Sequence, residues 1–189
     1  MKNVFNINDL QKMARKRVPK MFYEYADSGS WSAETYKANE NDFSKIKFRQ
    51  RVGVNIENRT LSKTFLGKKV SMPLALAPTG LCGMQHYNGE ILAAQASEEF
   101  GIPFTLSTMS ICSIEDVAEA TTQPFWFQLY VMRDKAFISN LLKRAQEAGC
   151  NVLQITMDLN ILGQRHADVR NGLSAPPKFK LQHIKQIIT

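Results

Sequence analysis

The chain has 189 residues, of which 44% are hydrophobic and 22% charged. That is enough to bury a real core, and the balance belongs to a globular protein rather than a disordered one. Its apolar runs break off short of the roughly 18 residues a membrane span needs, and the opening Met1–Asn6 has no apolar stretch of signal-peptide length.

The three cysteines, Cys82, Cys112 and Cys150, lie far apart, which argues against a disulfide framework or a metal knuckle. No metal is expected, and a reducing cytoplasm is the default compartment. The net charge of +7 concentrates in Lys12, Arg15, Lys16, Arg17 and Lys20 and again in Lys178, Lys180 and Lys185. Neither cluster falls in a nucleic-acid docking motif, so both are read as solvated helix faces rather than a nucleic-acid surface. Attraction to anionic lipid or small anions stays open.

In chain order, Asn8 and Asp9 open an amphipathic helix through Leu10, Met13 and Ala14 that ends near Pro19. A second helix covers Met21–Tyr25 up to Gly29, and a third runs from Ala33 to Phe43. Ile46, Phe48 and Val52 alternate roughly, and a hairpin is expected through Gly67-Lys68-Lys69. From residue 73 the pattern becomes strand, helix, strand, helix. The strands are expected at 73–77, 103–107, 125–131 and 151–156; the helices are expected at 90–100, 113–120 and 134–148, with Gly101 and Gly149 closing two of them.

Each of the four strands ends in small or polar groups: Pro78-Thr79-Gly80, Ser107-Thr108, Gln128 with Tyr130, and Thr156 with Asp158. Residues two apart share a strand face. Polar groups delivered at successive strand C-termini fit the active face of a (β/α)8 barrel. The first βα turn lacks G-x-G-x-x-G, which disfavours a dinucleotide fold. The fold class is therefore α/β, the N-terminal half of a TIM barrel preceded by a helical N-terminal extension. Residues 1–72 form the extension and hairpin, and 73–189 form about four βα units, against the roughly 250 residues of a full barrel.

Four strings carry a resemblance: Leu76-Ala77-Pro78-Thr79-Gly80-Leu81-Cys82-Gly83-Met84, Phe104-Thr105-Leu106-Ser107-Thr108, Trp126-Phe127-Gln128-Leu129-Tyr130 and Leu162-Gly163-Gln164-Arg165. In order and spacing they resemble the FMN-dependent α-hydroxy-acid dehydrogenase and oxidase family. The wording around Thr79–Met84 and Ile102–Ile114 is most similar to its bacterial L-lactate dehydrogenase branch.

The resemblance implies FMN as cofactor, with Ala77, Pro78, Thr79 and Gly80 against the flavin ring and Ser107, Gln128 and Thr156 on its polar edge. It implies Tyr25, Tyr130 and Arg165 at the substrate. A phenol can hydrogen-bond an anion without adding charge, and a guanidinium fork suits a carboxylate. Asp158 and Tyr130 are the candidate catalytic residues. Asp158 would orient and charge-stabilise a histidine from a later strand; none of His86, His166 and His183 matches that base. A lysine, a second arginine and a phosphate-binding segment of the family are likewise unmatched, so the chain reads as one wall of a site.

The implied reaction is oxidation of a small L-2-hydroxy acid, L-lactate to pyruvate first among them. Electrons would pass to a quinone or cytochrome, since Gly80 stands where the family's oxidases tend to carry alanine. A homo-oligomer is implied for the full-length enzyme. Two alternatives remain: an inactive half-barrel serving binding or assembly, and an oxygen-using oxidase. After Pro176-Pro177, Lys178, Lys180 and Lys185 interleave with Phe179, Leu181, Ile184, Ile187 and Ile188. This mixture suits either a barrel helix or a peripheral contact with an anionic membrane.

Overall fold

A computed structural model of the chain describes residues 4–158 and 161–173. The basic and apolar segment after Pro176 lies outside them. The fold divides into two compact units, Met1–Gly53 with Ile161–Thr189, and Val54–Asn160. The hairpin therefore belongs with the βα units and the 161–173 segment with the N-terminal helices, a division different from the one drawn at residue 72.

In the first unit, α1 (Ile7–Arg17) is set by its ends. The Asn6 side chain, rather than Asn8, caps it by accepting from Asp9 N at 3.0 Å. Asp9 in the first turn and Arg15, Lys16 and Arg17 in the last complement the helix dipole. Pro19 then starts α2 (Lys20–Ala26), which buries Met21 and Phe22. Helix α3 (Glu34–Asn41) runs on into a 3-10 turn at Asp42–Lys45.

No strand forms over residues 46–52. Phe48 and Val52 are almost fully exposed there, so the alternation has no partner face to bury. Far along the chain, α8 (His166–Asn171) packs on α2, and Asn171 Nδ2 donates to Glu24 Oε2 at 2.6 Å.

The second unit opens on the expected hairpin, β1 (Lys63–Phe65) against β2 (Lys68–Val70). Leu66 and Gly67 both take positive φ, 46° and 79°, the two-residue turn whose twist matches antiparallel strands. Then α4 (Cys82–Gln85), α5 (Gly89–Phe100), β3 (Thr105–Ser107), α6 (Ile114–Glu119), β4 (Trp126–Tyr130), α7 (Lys135–Glu147) and β5 (Val152–Thr156) follow.

Strands β3, β4 and β5 are parallel neighbours in that order. The strand expected at 73–77 contracts to one parallel bridge, Leu76 to Phe104. Pro73 and Pro78 flank it and remove the donors a longer ladder requires. The helices start where short polar side chains can cap them, at Ser113 for α6 and Asp134 for α7.

The side of the sheet opposite the polar residues carries the core. Leu106, Phe127 and Leu129 pack with Val117 of α6 and with Leu141 and Ala145 of α7. Burying a side chain such as Phe127 contributes about 2–3 kcal/mol. On β5, Leu153 and Ile155 are 44% and 48% exposed. The described strands thus make an open parallel sheet with helices between them.

Candidate functional site

Three of the expected residues come together from neighbouring parallel strands. Ser107 lies opposite Gln128, while Gln154 faces Gln128 from β5 and Thr156 faces Tyr130. Gln128 is 1% exposed and Ser107 2%. Its amide joins the strands. Oε1 accepts from Ser107 Oγ at 3.1 Å and Thr108 N at 3.3 Å, and Nε2 donates to Thr156 Oγ1 at 2.7 Å.

Ser107 Oγ in turn accepts from Met109 N at 3.1 Å, and Thr108 Oγ1 ties Gln128 O at 2.6 Å to Tyr130 N at 3.2 Å. These bonds leave two donors without an acceptor among the described residues: the second hydrogen of the Gln128 amide and the Thr156 hydroxyl. Thr156 ends β5, and Gln128 lies two residues before the end of β4.

Tyr130, two residues past Gln128, lies on the same strand face and is half-buried. Strand β5 ends at Thr156, so Asp158 stands two residues beyond it, exposed. The shared face expected for Thr156 and Asp158 therefore does not extend through a strand.

Ala77, Pro78, Thr79 and Gly80 form the irregular turn after the Leu76 bridge. The turn is anchored one residue later, where Leu81 takes φ 59° and donates its N–H to Met109 O at 2.9 Å.

Behind this turn is a residue that the sequence reading used only as a helix start. Glu90 is 2% exposed. Its Oε1 accepts from Gly83 N at 3.1 Å and Ile111 N at 2.9 Å. It thus links α4, just after Gly80, to the loop after β3. Burial pushes its carboxyl up, but the N–H groups of Ile111, Glu90 itself and Gly83, with the Cys112 thiol, outweigh this and hold it below the usual range.

Burial and the Glu90 charge push the Cys82 thiol up to about 11. Helix α4 and that loop are close: a Cβ on Gly83 would meet Ile111 Cβ at 2.6 Å. A lone acid at a helix N-terminus reads in sequence as dipole chemistry, and nothing in its spacing marks these two amides as its partners.

In the first unit, Tyr25 and Arg165 meet although 140 residues separate them. The Arg165 guanidinium carbon sits 4.9 Å from the Tyr25 ring centroid, and its Nη2 donates to Tyr25 O. Nε donates to Asp168 Oδ2 at 2.6 Å, which leaves Nη1. Trp31 N donates to Gln164 O at 2.9 Å, and a Cβ on Gly163 would come within 2.9 Å of Ser30 Cβ. Glycine at 163 is what lets the two segments approach. His166 stands edge-on to Trp31 with centroids 5.9 Å apart.

Among the described residues no group of three acidic, histidine or cysteine side chains is placed to hold a metal. No helix among them is long and apolar enough to cross a membrane.

Residues 14–189 match the family described as FMN-dependent dehydrogenase. The chain belongs to that family. It is 45% identical over 175 residues to an L-lactate dehydrogenase of Haemophilus influenzae, an alignment covering 93% of this chain and 46% of the relative. Among solved structures, a monotopic membrane protein, (S)-mandelate dehydrogenase, superposes with a TM-score of 0.90 at 34% identity, over 98% of this chain and 49% of that one. A mandelate oxidase variant solved with benzoyl-formic acid superposes with a TM-score of 0.84 at 26% identity, over 98% of this chain and 58% of that one. The chain spans about half the length of the curated relatives it matches. The open sheet with its intervening helices is thus part of a TIM barrel.

Proposed function

We propose that the chain supplies the flavin-facing and part of the substrate-facing wall of an enzyme that oxidises a small L-2-hydroxy acid, L-lactate first among them. The observation that carries the proposal is the Ser107–Gln128–Thr156 row. Its two uncommitted donors and its buried amide suit the acceptor-rich edge of FMN, and buried polar groups of this kind need partners. Bound FMN would supply the two-electron acceptor for the hydroxy acid. Ala77, Pro78, Thr79 and Gly80 would lie along its ring, where small side chains permit close approach.

On the substrate side, Tyr25, Tyr130 and Arg165 would receive the carboxylate and hydroxyl. Arg165 would do so through Nη1, while Asp168 and Tyr25 O fix its plane. The Tyr130 hydroxyl would stabilise charge developing on the substrate oxygen. Asp158 would hold the imidazole of a histidine supplied from outside these residues and stabilise its protonated form.

The glycine at 80 favours a quinone or cytochrome acceptor over oxygen. A peripheral contact with the cytoplasmic face of a membrane accords with the monotopic relative. No nucleic-acid role is proposed, and assembly as a homo-oligomer is inferred for the full-length enzyme.

The test is a chimera in which this chain replaces the matching half of the Haemophilus influenzae L-lactate dehydrogenase. It should retain FMN through gel filtration and lose flavin absorbance when L-lactate is added anaerobically. Asp158→Asn in that chimera should slow the loss by orders of magnitude with FMN retained. A chimera that binds FMN but is not reduced by L-lactate refutes the substrate; an Asp158→Asn chimera that L-lactate reduces at an unchanged rate refutes that residue's role.

A further inference from the structure

The N-terminal unit has a cavity that the hydroxy-acid reaction does not use. It is open, about 770 Å³ in volume, and lined by residues of α1, α2 and α8 and the segments beside them, among them Arg15, Lys16, Lys20, Glu24, Asp27 and Arg170. Four cations therefore face two carboxylates. Both carboxylates already have partners. Glu24 takes Lys20 at 3.6 Å on one oxygen and Asn171 at 2.6 Å on the other. Asp27 accepts from Tyr23 at 2.6 Å, and from Tyr36 and Gln11 at 2.8 Å each.

The side chains of Arg15, Lys16 and Arg170 make no hydrogen bond or salt bridge among the described residues, although Arg15 does lie within the field of Asp27. Helices hold the walls, and the Asn171–Glu24 bond fixes α8 on α2.

From this geometry we infer that the cavity between α1, α2 and α8 binds a phosphate-type anion, met by Arg15, Lys16 and Arg170. The choice of anion follows from the donors. Two guanidinium forks match tetrahedral oxyanions through paired N–H groups, and a lysine adds a point charge. Because the three cations are exposed, recruiting them carries little desolvation cost. The volume is in the range of small-molecule sites and admits more than a bare ion. A phosphorylated metabolite or a lipid headgroup presents the same chemistry to these residues. The inference stands apart from the flavin reading, since none of its residues is assigned there.

The experiment uses the 189-residue chain, isotopically labelled, titrated with inorganic phosphate against chloride at equal ionic strength. Saturable amide shifts are expected at Lys16, Glu24 and Asn171. The Lys16→Gln, Arg170→Gln double variant should bind roughly tenfold more weakly or worse. Lys68→Gln with Lys69→Gln, in the hairpin of the other unit, should leave binding unchanged. Arg170→Lys keeps the charge but loses the fork and should weaken binding by a smaller factor; circular dichroism confirms that each variant is folded.

Sedimentation with vesicles of phosphatidylglycerol and phosphatidylcholine then separates the sources. Retention that the double variant abolishes identifies a headgroup, and phosphate binding without retention identifies a soluble phosphate. Shifts that never saturate, or equal loss in the cavity and hairpin variants, would reduce the effect to general charge attraction and overturn the inference.

Discussion

The Gln128 row in one compact unit and the Arg165–Tyr25 pair in the other are built in opposite ways. Ser107 lies opposite Gln128 on adjacent parallel strands, and the Gln128 amide reaches Thr156 two residues further along β5, so the ladder positions all three. Arg165 reaches Tyr25 from 140 residues away, on an irregular segment seated by Gly163 against Ser30 and by the Trp31–Gln164 bond. The first arrangement shares the stability of a core; the second rests on a few polar and ring contacts. Regions held this way are drawn from the low-stability end of a fold, where substrate-gating segments also belong.

The sharpest way to break this contrast is at Glu90, which holds the loops beside the row. Glu90→Leu leaves the N–H groups of Gly83 and Ile111 without their acceptor, and a loss of about 2–4 kcal/mol is expected. Urea unfolding measures it, and an unchanged midpoint would show that the carboxylate does not clamp these loops. Gln128→Leu should cost less, about 1–3 kcal/mol, because Thr108 N keeps its backbone bond to Gln128 O at 3.0 Å. Hydrogen exchange should quicken near Thr108 and Met109 and stay as it was at Trp31.

Arg165→Met makes the converse test. It removes the ring contact and leaves Asp168 without its cation, for about 1–2 kcal/mol. Exchange should now quicken at the Trp31 amide and not at Thr108; the same response at both places would mean that the two regions are not held independently.

The smallest effect is expected at Glu115, whose bidentate pairing with Arg144, at 2.8 and 2.7 Å, lowers its carboxyl from 4.5 to about 2. With a depressed folded value, this stabilisation is complete above about 4.5 and fades as pH falls towards 2. The Glu115 side chain is 48% exposed, so solvent screening keeps the contribution below about 1 kcal/mol. Glu115→Gln should flatten the acid limb of the stability profile by no more than that.

The same contrast governs how much of the molecule can be read from its residues. The βα alternation, the caps at Ser113 and Asp134, the closing glycines and the turn at Leu66-Gly67 are local, and each is written in neighbouring residues. Ser107, Gln128 and Thr156 were singled out by the resemblance, and a strand's two-residue period is what lets neighbouring strands carry such side chains on a common face. The 46–52 alternation forms no strand for the opposite reason: a strand exists only where another strand or a core accepts it, and Phe48 and Val52 stay exposed.

Sequence by itself therefore determined the α/β class and the polar strand ends, which follow from short-range periodicity, and the family wording, which four strings carry by resemblance. Only the tertiary structure decided that Glu90 would spend its charge on two distant amides, that Gly163 would admit Ser30, and that Arg165 would reach Tyr25. Contacts of that kind depend on loop paths, and a loop path is set by everything it packs against rather than by the residues it contains.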